Sequence, residues 1–130
     1  MKELEVKIKK YLQDRGWDTL RPSDLAKSIA IESGELLELF QWENLSLEEV
    51  KKNKEKVGAI KKELADVLIY CIDMAVLLGI DTEKTIREKL RAIEKKYPAK
   101  LMRKNAKEGA GSGEDSAYWQ IKREYRKQGK

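Results

Sequence analysis

Two stretches constrain what this chain can fold into more than any other feature. Ile31-Glu32-Ser33-Gly34-Glu35-Leu36-Leu37-Glu38-Leu39-Phe40-Gln41-Trp42 and Lys62-Glu63-Leu64-Ala65-Asp66-Val67-Leu68-Ile69-Tyr70 each carry acidic residues three apart inside strongly apolar helical patterns. Three residues advance a helix by about 300°, so each acidic pair lies roughly 60° apart on one face. Like charges so placed repel by on the order of a few tenths of a kcal/mol.

Local compensation is missing. None of the residues three or four positions from Glu32, Glu35 or Glu63 is a cation, and Asp66 has only Lys62. The first helix, by contrast, pairs Glu3 with Lys7 and Glu5 with Lys9, and a later one pairs Glu83 with Arg87 and Lys84 with Glu88. Two readings follow. The stripes are ordinary solvated faces, or they face each other and a bound ion supplies the missing positive charge.

Carboxylate oxygens from two helices suit a hard cation, Mg²⁺ or alternatively Mn²⁺. Without metal such acids raise one another's pKa. The chain has no His, which excludes a ferritin-like site with Glu-x-x-His pairs and any His-ligated zinc. Mg²⁺ usually shares its coordination with substrate phosphates, so the second reading implies a phosphate-bearing substrate.

The 130 residues suffice for one domain with a modest core. Charged residues reach 39%, yet the 41% hydrophobic fraction is too high and too periodic for a disordered chain. The net charge of +5 gathers after Glu94. Such a tail attracts nucleic acid, nucleotides or a membrane surface, and by itself selects none of them. The single cysteine, Cys71, allows no intrachain disulfide and reads as a small buried hydrophobe, because no His exists to activate it. No signal peptide is visible, and the apolar run Val67 to Ile80 is too short for a bilayer and contains Asp73. The expectation is a soluble cytoplasmic protein without a membrane partner.

Leu4, Ile8, Tyr11 and Leu12 form the stripe of a first helix over about Lys2 to Arg15, with Gly16 as its stop. Trp17 follows in a loop, as a core plug or as a platform for a base. Ser23 is the expected N-cap of a second helix reaching about Gln41. Gly34 inside it costs about 1 kcal/mol relative to Ala, which suggests close approach of a helix or ligand. Ser46-Leu47-Glu48-Glu49 matches a capping box for a short helix to about Asn53. The third long helix spans about Lys54 to Leu78 and, apolar nearly all round past Asp66, is expected to be central and buried. Glu63, Asp66, Tyr70 and Asp73 fall within a sector of about 80° on it.

Asp81 is the expected cap of a helix over about Thr82 to Lys96, and Pro98 its stop. A polar stretch with Gly109-Ala110-Gly111-Ser112-Gly113 then reads as a flexible linker. Ser116 to about Lys127 reads as a short docking helix with Tyr118, Ile121 and Tyr125 on one face. No strand pattern, phosphate loop or dinucleotide glycine motif is present. The fold class is therefore all-α, an antiparallel four-helix bundle over residues 1–101 with a basic C-terminal extension over 102–130. Surplus apolar surface on so short a chain points to a homodimer or homotetramer.

Glu32-x-x-Glu35 followed by Glu63-x-x-Asp66 resembles the ExxE…ExxD signature of the MazG-like all-α nucleotide pyrophosphohydrolases. Ile31 to Trp42 is similar to the first motif of their dCTP pyrophosphatase branch, Glu63 to Tyr70 to the second, and Lys96-Tyr97-Pro98-Ala99 to the Tyr-Pro after the fourth helix. The likeness covers about Trp17 to Leu101. It implies Mg²⁺-dependent hydrolysis of a (deoxy)nucleoside triphosphate, dCTP-like, to the monophosphate and pyrophosphate. It assigns Glu32, Glu35, Glu63 and Asp66 as metal ligands and places Trp42, Tyr70 and Trp17 around the nucleotide. Glu35 or Glu38 becomes the proton acceptor, with Lys89 and Lys96 as candidate phosphate contacts. Asp73 stands where members of that family are usually apolar, and Ile93 where Asn is common. Hydrolysis of dUTP or of many nucleotides is the alternative within the class. A non-enzymatic helical module that binds nucleic acid is the alternative outside it.

Overall fold

The computed structural model describes residues 1–107 and 116–130; the glycine-rich stretch from Gly109 to Gly113 lies outside them. All regular structure among the described residues is α-helical: α1 Lys2–Asp14, α2 Pro22–Glu38, α3 Leu47–Lys52, α4 Lys54–Leu77, α5 Thr82–Lys96, α6 Ala99–Lys107 and α7 Ala117–Lys127. The chain forms two compact units, Met1–Thr82 and Glu83–Lys130.

The first unit is a bundle-like packing of helices around α4. Helix α2 runs along it most extensively, α1 less so, and α3 touches its first part. Ile8 and Leu12 of α1 bury against Ile72 of α4, with Val76 and Leu77 packed beside them. Leu12 is 1% exposed and Leu25 of α2 2%, so the apolar stripes of the two shorter helices are spent on the longest one. Burying a Leu or Ile this fully contributes about 1.5–3 kcal/mol.

Local chemistry sets the helix ends. Ser46 Oγ accepts from the Glu49 N–H at 3.2 Å, so the N-cap half of the predicted capping box forms, while the Glu49 carboxylate accepts from the Ser46 hydroxyl at 3.0 Å where a full box would have it accept from the Ser46 backbone N–H. Asn53 caps α4 by accepting from the Lys56 N–H at 3.0 Å. Gly79, with φ +68°, ends that helix in the left-handed region glycine adopts without penalty. Helix α2 departs from expectation at both ends. Its N-cap is Arg21, not Ser23, because Pro22 has a preset φ and no N–H to orphan and so occupies the first helical position. Its regular bonding stops at Glu38, and Leu39 to Gln41 continue in i→i−3 turns.

One cation joins α2 to α4. The Lys56 ammonium, its side chain 13% exposed, donates to the Leu39 carbonyl at the C-cap of α2 and pairs with Glu43 at 2.7 Å. A positive charge there also meets the negative end of the helix.

Three other expectations are corrected. Helix α4 is not buried on all sides: Leu64, Leu68 and Cys71 lie exposed along one face. Cys71 is consequently a surface residue rather than a core hydrophobe, since only one flank of α4 is covered by α1 and α2. A Cβ at Gly34 would meet nothing within 4 Å, so of the two expected neighbours, a helix or a ligand, no helix among the described residues approaches it closely.

In the second unit α6 occupies part of the stretch read as polar linker, and it packs with α7. Pro98, read only as a stop, also lies one residue before the new helix, whose Met102 N–H bonds to the Pro98 carbonyl. Ser116 caps α7. Tyr97 stacks on Tyr118 with ring centres 5.0 Å apart, and Tyr118 meets Trp119 edge-on at 5.6 Å. No helix among the described residues is long and apolar enough to cross a membrane.

Candidate active site

Packing α2 against α4 brings the two acidic stripes together. Glu32, Glu63 and Asp66 each offer a carboxylate oxygen, and these atoms all lie within 4.8 Å of one another. All three side chains are half-buried. Among the described residues no Lys or Arg forms an ion pair with them, and Lys62 does not reach Asp66. Glu63 Oε2 is enclosed and has no hydrogen-bond partner.

Glu35 stands beside this trio on the more exposed side. The hydrogen bond and charge of Glu32 raise its carboxyl above the usual range, loss of solvent and the charge of Glu38 add to this, and a hydrogen bond with Glu63 opposes it. Glu63 is also raised, first by desolvation and then by the charges of Glu35 and Asp66, with Lys62 offsetting part. Glu38 is exposed and touches the cluster through its charge on Glu35.

The donor set is oxygen only, uncompensated, and includes an orphaned buried atom. It fits a hard divalent ion such as Mg²⁺ or Mn²⁺ and offers nothing to a soft one.

A cavity of about 370 Å³ opens from the same region, its walls including Tyr11, Trp17, Ser28, Asp66, Tyr70 and Asp73. Asp66 belongs to both the acid cluster and the cavity. Tyr70 and Asp73 follow it at four and seven residues, one helical face of α4. Trp17 is 46% exposed and meets Tyr11 edge-on with centroids 5.9 Å apart, so it is a wall of the cavity and not a core plug. Arg15 lies over the other ring, 4.0 Å from the Tyr11 centroid.

Trp42 is 88% exposed and does not line the cavity. Lys89 and Lys96 belong to the second unit. There Lys89 is exposed, and the Lys96 ammonium sits over the Tyr97 and Tyr125 rings at 5.3 and 4.7 Å. Tyr11 and Ser28 of the cavity wall were not singled out from sequence. Tyr11 is part of the apolar stripe of α1, and periodicity alone does not separate a core-facing ring from a cavity-facing one.

Comparison with known proteins places these features in context. The family model described as MazG-like matches residues 27–110. Over 99 residues the chain is 31% identical to dCTP pyrophosphatase 1 of Rattus norvegicus, covering 74% of this chain and 58% of that protein. Identity to the Homo sapiens protein of the same name is 29%, over 75% of this chain and 58% of the relative. The chain thus spans less than two thirds of the length of these relatives. The crystal structure of a pyrophosphatase from Archaeoglobus fulgidus superposes with a TM-score of 0.66 at 37% identity, covering 75% of this chain and 92% of that one.

Proposed function

This chain belongs to the MazG-like family, and we propose that it hydrolyses a nucleoside triphosphate to the monophosphate and pyrophosphate with Mg²⁺, or Mn²⁺, as cofactor. The observation that carries this reading is the convergence of Glu32, Glu63 and Asp66 from two helices without a cation to balance them. Relatives named dCTP pyrophosphatase 1 support a dCTP-like substrate.

Glu32, Glu63 and Asp66 would hold the ion, with Glu35 as a fourth ligand or as the group left free. A bound divalent ion supplies charge neutralisation for the triphosphate and acidifies water. Glu35 is the better placed proton acceptor. Its raised pKa brings it closer to neutrality than an ordinary carboxylate, and it stands on the open side of the cluster. Glu38 tunes Glu35 through charge and is the second candidate. The cavity beside Asp66 receives the nucleoside, with Trp17 and Tyr70 offering aromatic faces for a base.

The chain acts as a homodimer or homotetramer in this proposal. The exposed line Leu64, Leu68 and Cys71 on α4 is the supporting observation, because an apolar stripe on a central helix is normally covered. Trp42 is assigned to the nucleotide pocket of that assembly. A cytoplasmic setting, where nucleotides are substrates, completes the reading. A panel of nucleoside triphosphates with Mg²⁺, scored for pyrophosphate, tests it. Release of pyrophosphate from at least one of them is expected, and salt-dependent oligonucleotide binding with no release would favour a nucleic-acid module instead.

A further inference from the structure

Trp17 owes its place on the cavity wall to the way α1 ends. Its N–H donates to the Leu12 carbonyl at 2.9 Å, and the Gly16 N–H donates to the Gln13 carbonyl at 3.1 Å. These are the paired bonds that close a helix on a left-handed residue, and Gly16, with φ +67°, is that residue. The Trp17 carbonyl is held too, accepting from the Leu20 N–H at 3.4 Å. Leu12, Trp17 and Leu20 all line the cavity, so one short cap sets a whole side of it. The indole meets Tyr11 edge-on, the apolar contact such caps commonly carry, yet Trp17 stays 46% exposed. A large ring left so open beside a cavity is surface for a ligand, not core.

We propose that Gly16 is a positioning residue for nucleotide binding, its left-handed backbone holding the Trp17 indole at the cavity wall ready for a base. The inference rests on the nucleotide reading of the site given above, and it deepens that reading. Gly16 itself touches no ligand and acts through Trp17. A wall fixed before the nucleotide arrives spares the ordering of Trp17 and Leu20 on binding. A side chain at position 16 resists the left-handed backbone, so the cap loosens and the nucleotide must order that wall itself. A Cβ there would meet nothing within 4 Å, so the substitution acts on the backbone alone. The acids of α2 and α4 are untouched, so ground state and transition state lose the same binding: KM rises and kcat holds.

Gly79 supplies the matched control. It ends α4 in the same pattern, with the Ile80 N–H on the Ala75 carbonyl at 2.8 Å and the Gly79 N–H on the Val76 carbonyl at 3.2 Å. Its φ is +68°, and a Cβ there also meets nothing within 4 Å. Ile80, the counterpart of Trp17, does not line the cavity.

Steady-state kinetics of the full chain with Mg²⁺ and dCTP, or the best substrate of the triphosphate panel, test this. Calorimetric binding of the α,β-imido analogue of the same nucleotide gives Kd without turnover. Gly16→Ala should raise KM and Kd about three- to tenfold, with kcat within about twofold of the wild-type chain. Gly16→Asn, which tolerates left-handed backbone, should recover part of this and leave a rise of about twofold. Gly79→Ala should leave KM and Kd unchanged. In a chain that already carries Trp17→Ala, Gly16→Ala should add nothing, because the group it acts through is gone. KM and Kd unmoved by Gly16→Ala overturn the proposal, as does an equal effect in the Trp17→Ala background or from Gly79→Ala. If Gly16→Ala does not fold, Gly16→Asn compared in the two backgrounds decides alone. Wild-type turnover with KM unmoved by position 16 sinks this inference and spares the hydrolase reading. A Kd that depends on Gly16 through Trp17, in a chain without turnover, does the reverse. A wild-type chain that neither binds nor cleaves nucleotide overturns both.

Discussion

Glu32 on α2 and Glu63 on α4 bring carboxylate oxygens within 4.8 Å of each other, and Asp66 joins them at the same range. No described Lys or Arg forms an ion pair with these acids, although Lys62 offsets part of the charge on Glu63, while Lys56 ties the end of α2 to α4. The account of function follows from that juxtaposition.

Glu63→Gln should lower Mg²⁺-dependent pyrophosphate release by about a hundredfold or more and abolish the rise in Tm that Mg²⁺ gives the wild-type chain. Removing an orphaned carboxylate oxygen should not reduce helicity, so circular dichroism serves as the control. Unchanged turnover would remove Glu63 from the metal site.

The same acids make stability depend on pH in a defined direction. Glu35 and Glu63 have folded pKa values above their ordinary 4.5. The folded chain therefore binds more protons than the unfolded one over the range above 4.5, and the metal-free protein loses stability as pH rises through it. Mg²⁺ needs the ionised acids, so its stabilisation should grow over the same range. Thermal melts with EDTA and with Mg²⁺ should diverge as pH rises from about 4 to 7.

Asp73→Asn should be at least as stable as the wild-type chain at neutral pH. The Asp73 pKa is raised above 3.8 by burial, so its ionisation opposes folding as pH rises past that value. The advantage of the Asn variant should shrink as pH falls and vanish below about 3.8. A constant difference across the range would mean that Asp73 does not titrate differently in the folded state.

Much of this was legible in the chain, for identifiable reasons. Helix period and missing counter-charges located Glu32, Glu35, Glu63 and Asp66, because a spacing of three fixes a shared face whatever the partner. Capping chemistry located the start of α3 at Ser46 and the end of α4 at Gly79. The errors share a cause as well. Pattern reports that a residue is apolar but not what covers it, so Cys71 was assigned to a core that does not reach it. For the same reason the pattern alone leaves Trp17 between a core plug and a platform for a base. Helix α6 was missed because Pro98 was read in one direction only. Asp73 could be placed on the active face of α4, but its enclosure and its missing partner needed coordinates.

Lys56→Met should cost about 1–3 kcal/mol of stability by removing a largely buried charge-assisted tie at the end of α2. It should also weaken Mg²⁺ binding, although Lys56 touches none of the proposed ligands. Urea unfolding and a Mg²⁺ titration of the same variant separate the two effects. Lost stability with unchanged metal affinity would show that the helix register is set elsewhere.

Leu68→Asp should shift the chain from the proposed dimer or tetramer toward a monomer at micromolar concentration, read by light-scattering mass. A wild-type mass equal to one chain would refute the assembly.

The most direct measurement is phosphorus NMR of dCTP incubated with the wild-type chain and Mg²⁺. The predicted spectrum shows dCMP and pyrophosphate growing together, and no change when EDTA is added first. Intact dCTP across a full panel of triphosphates, or orthophosphate as the first product, would contradict the reading of these four acids.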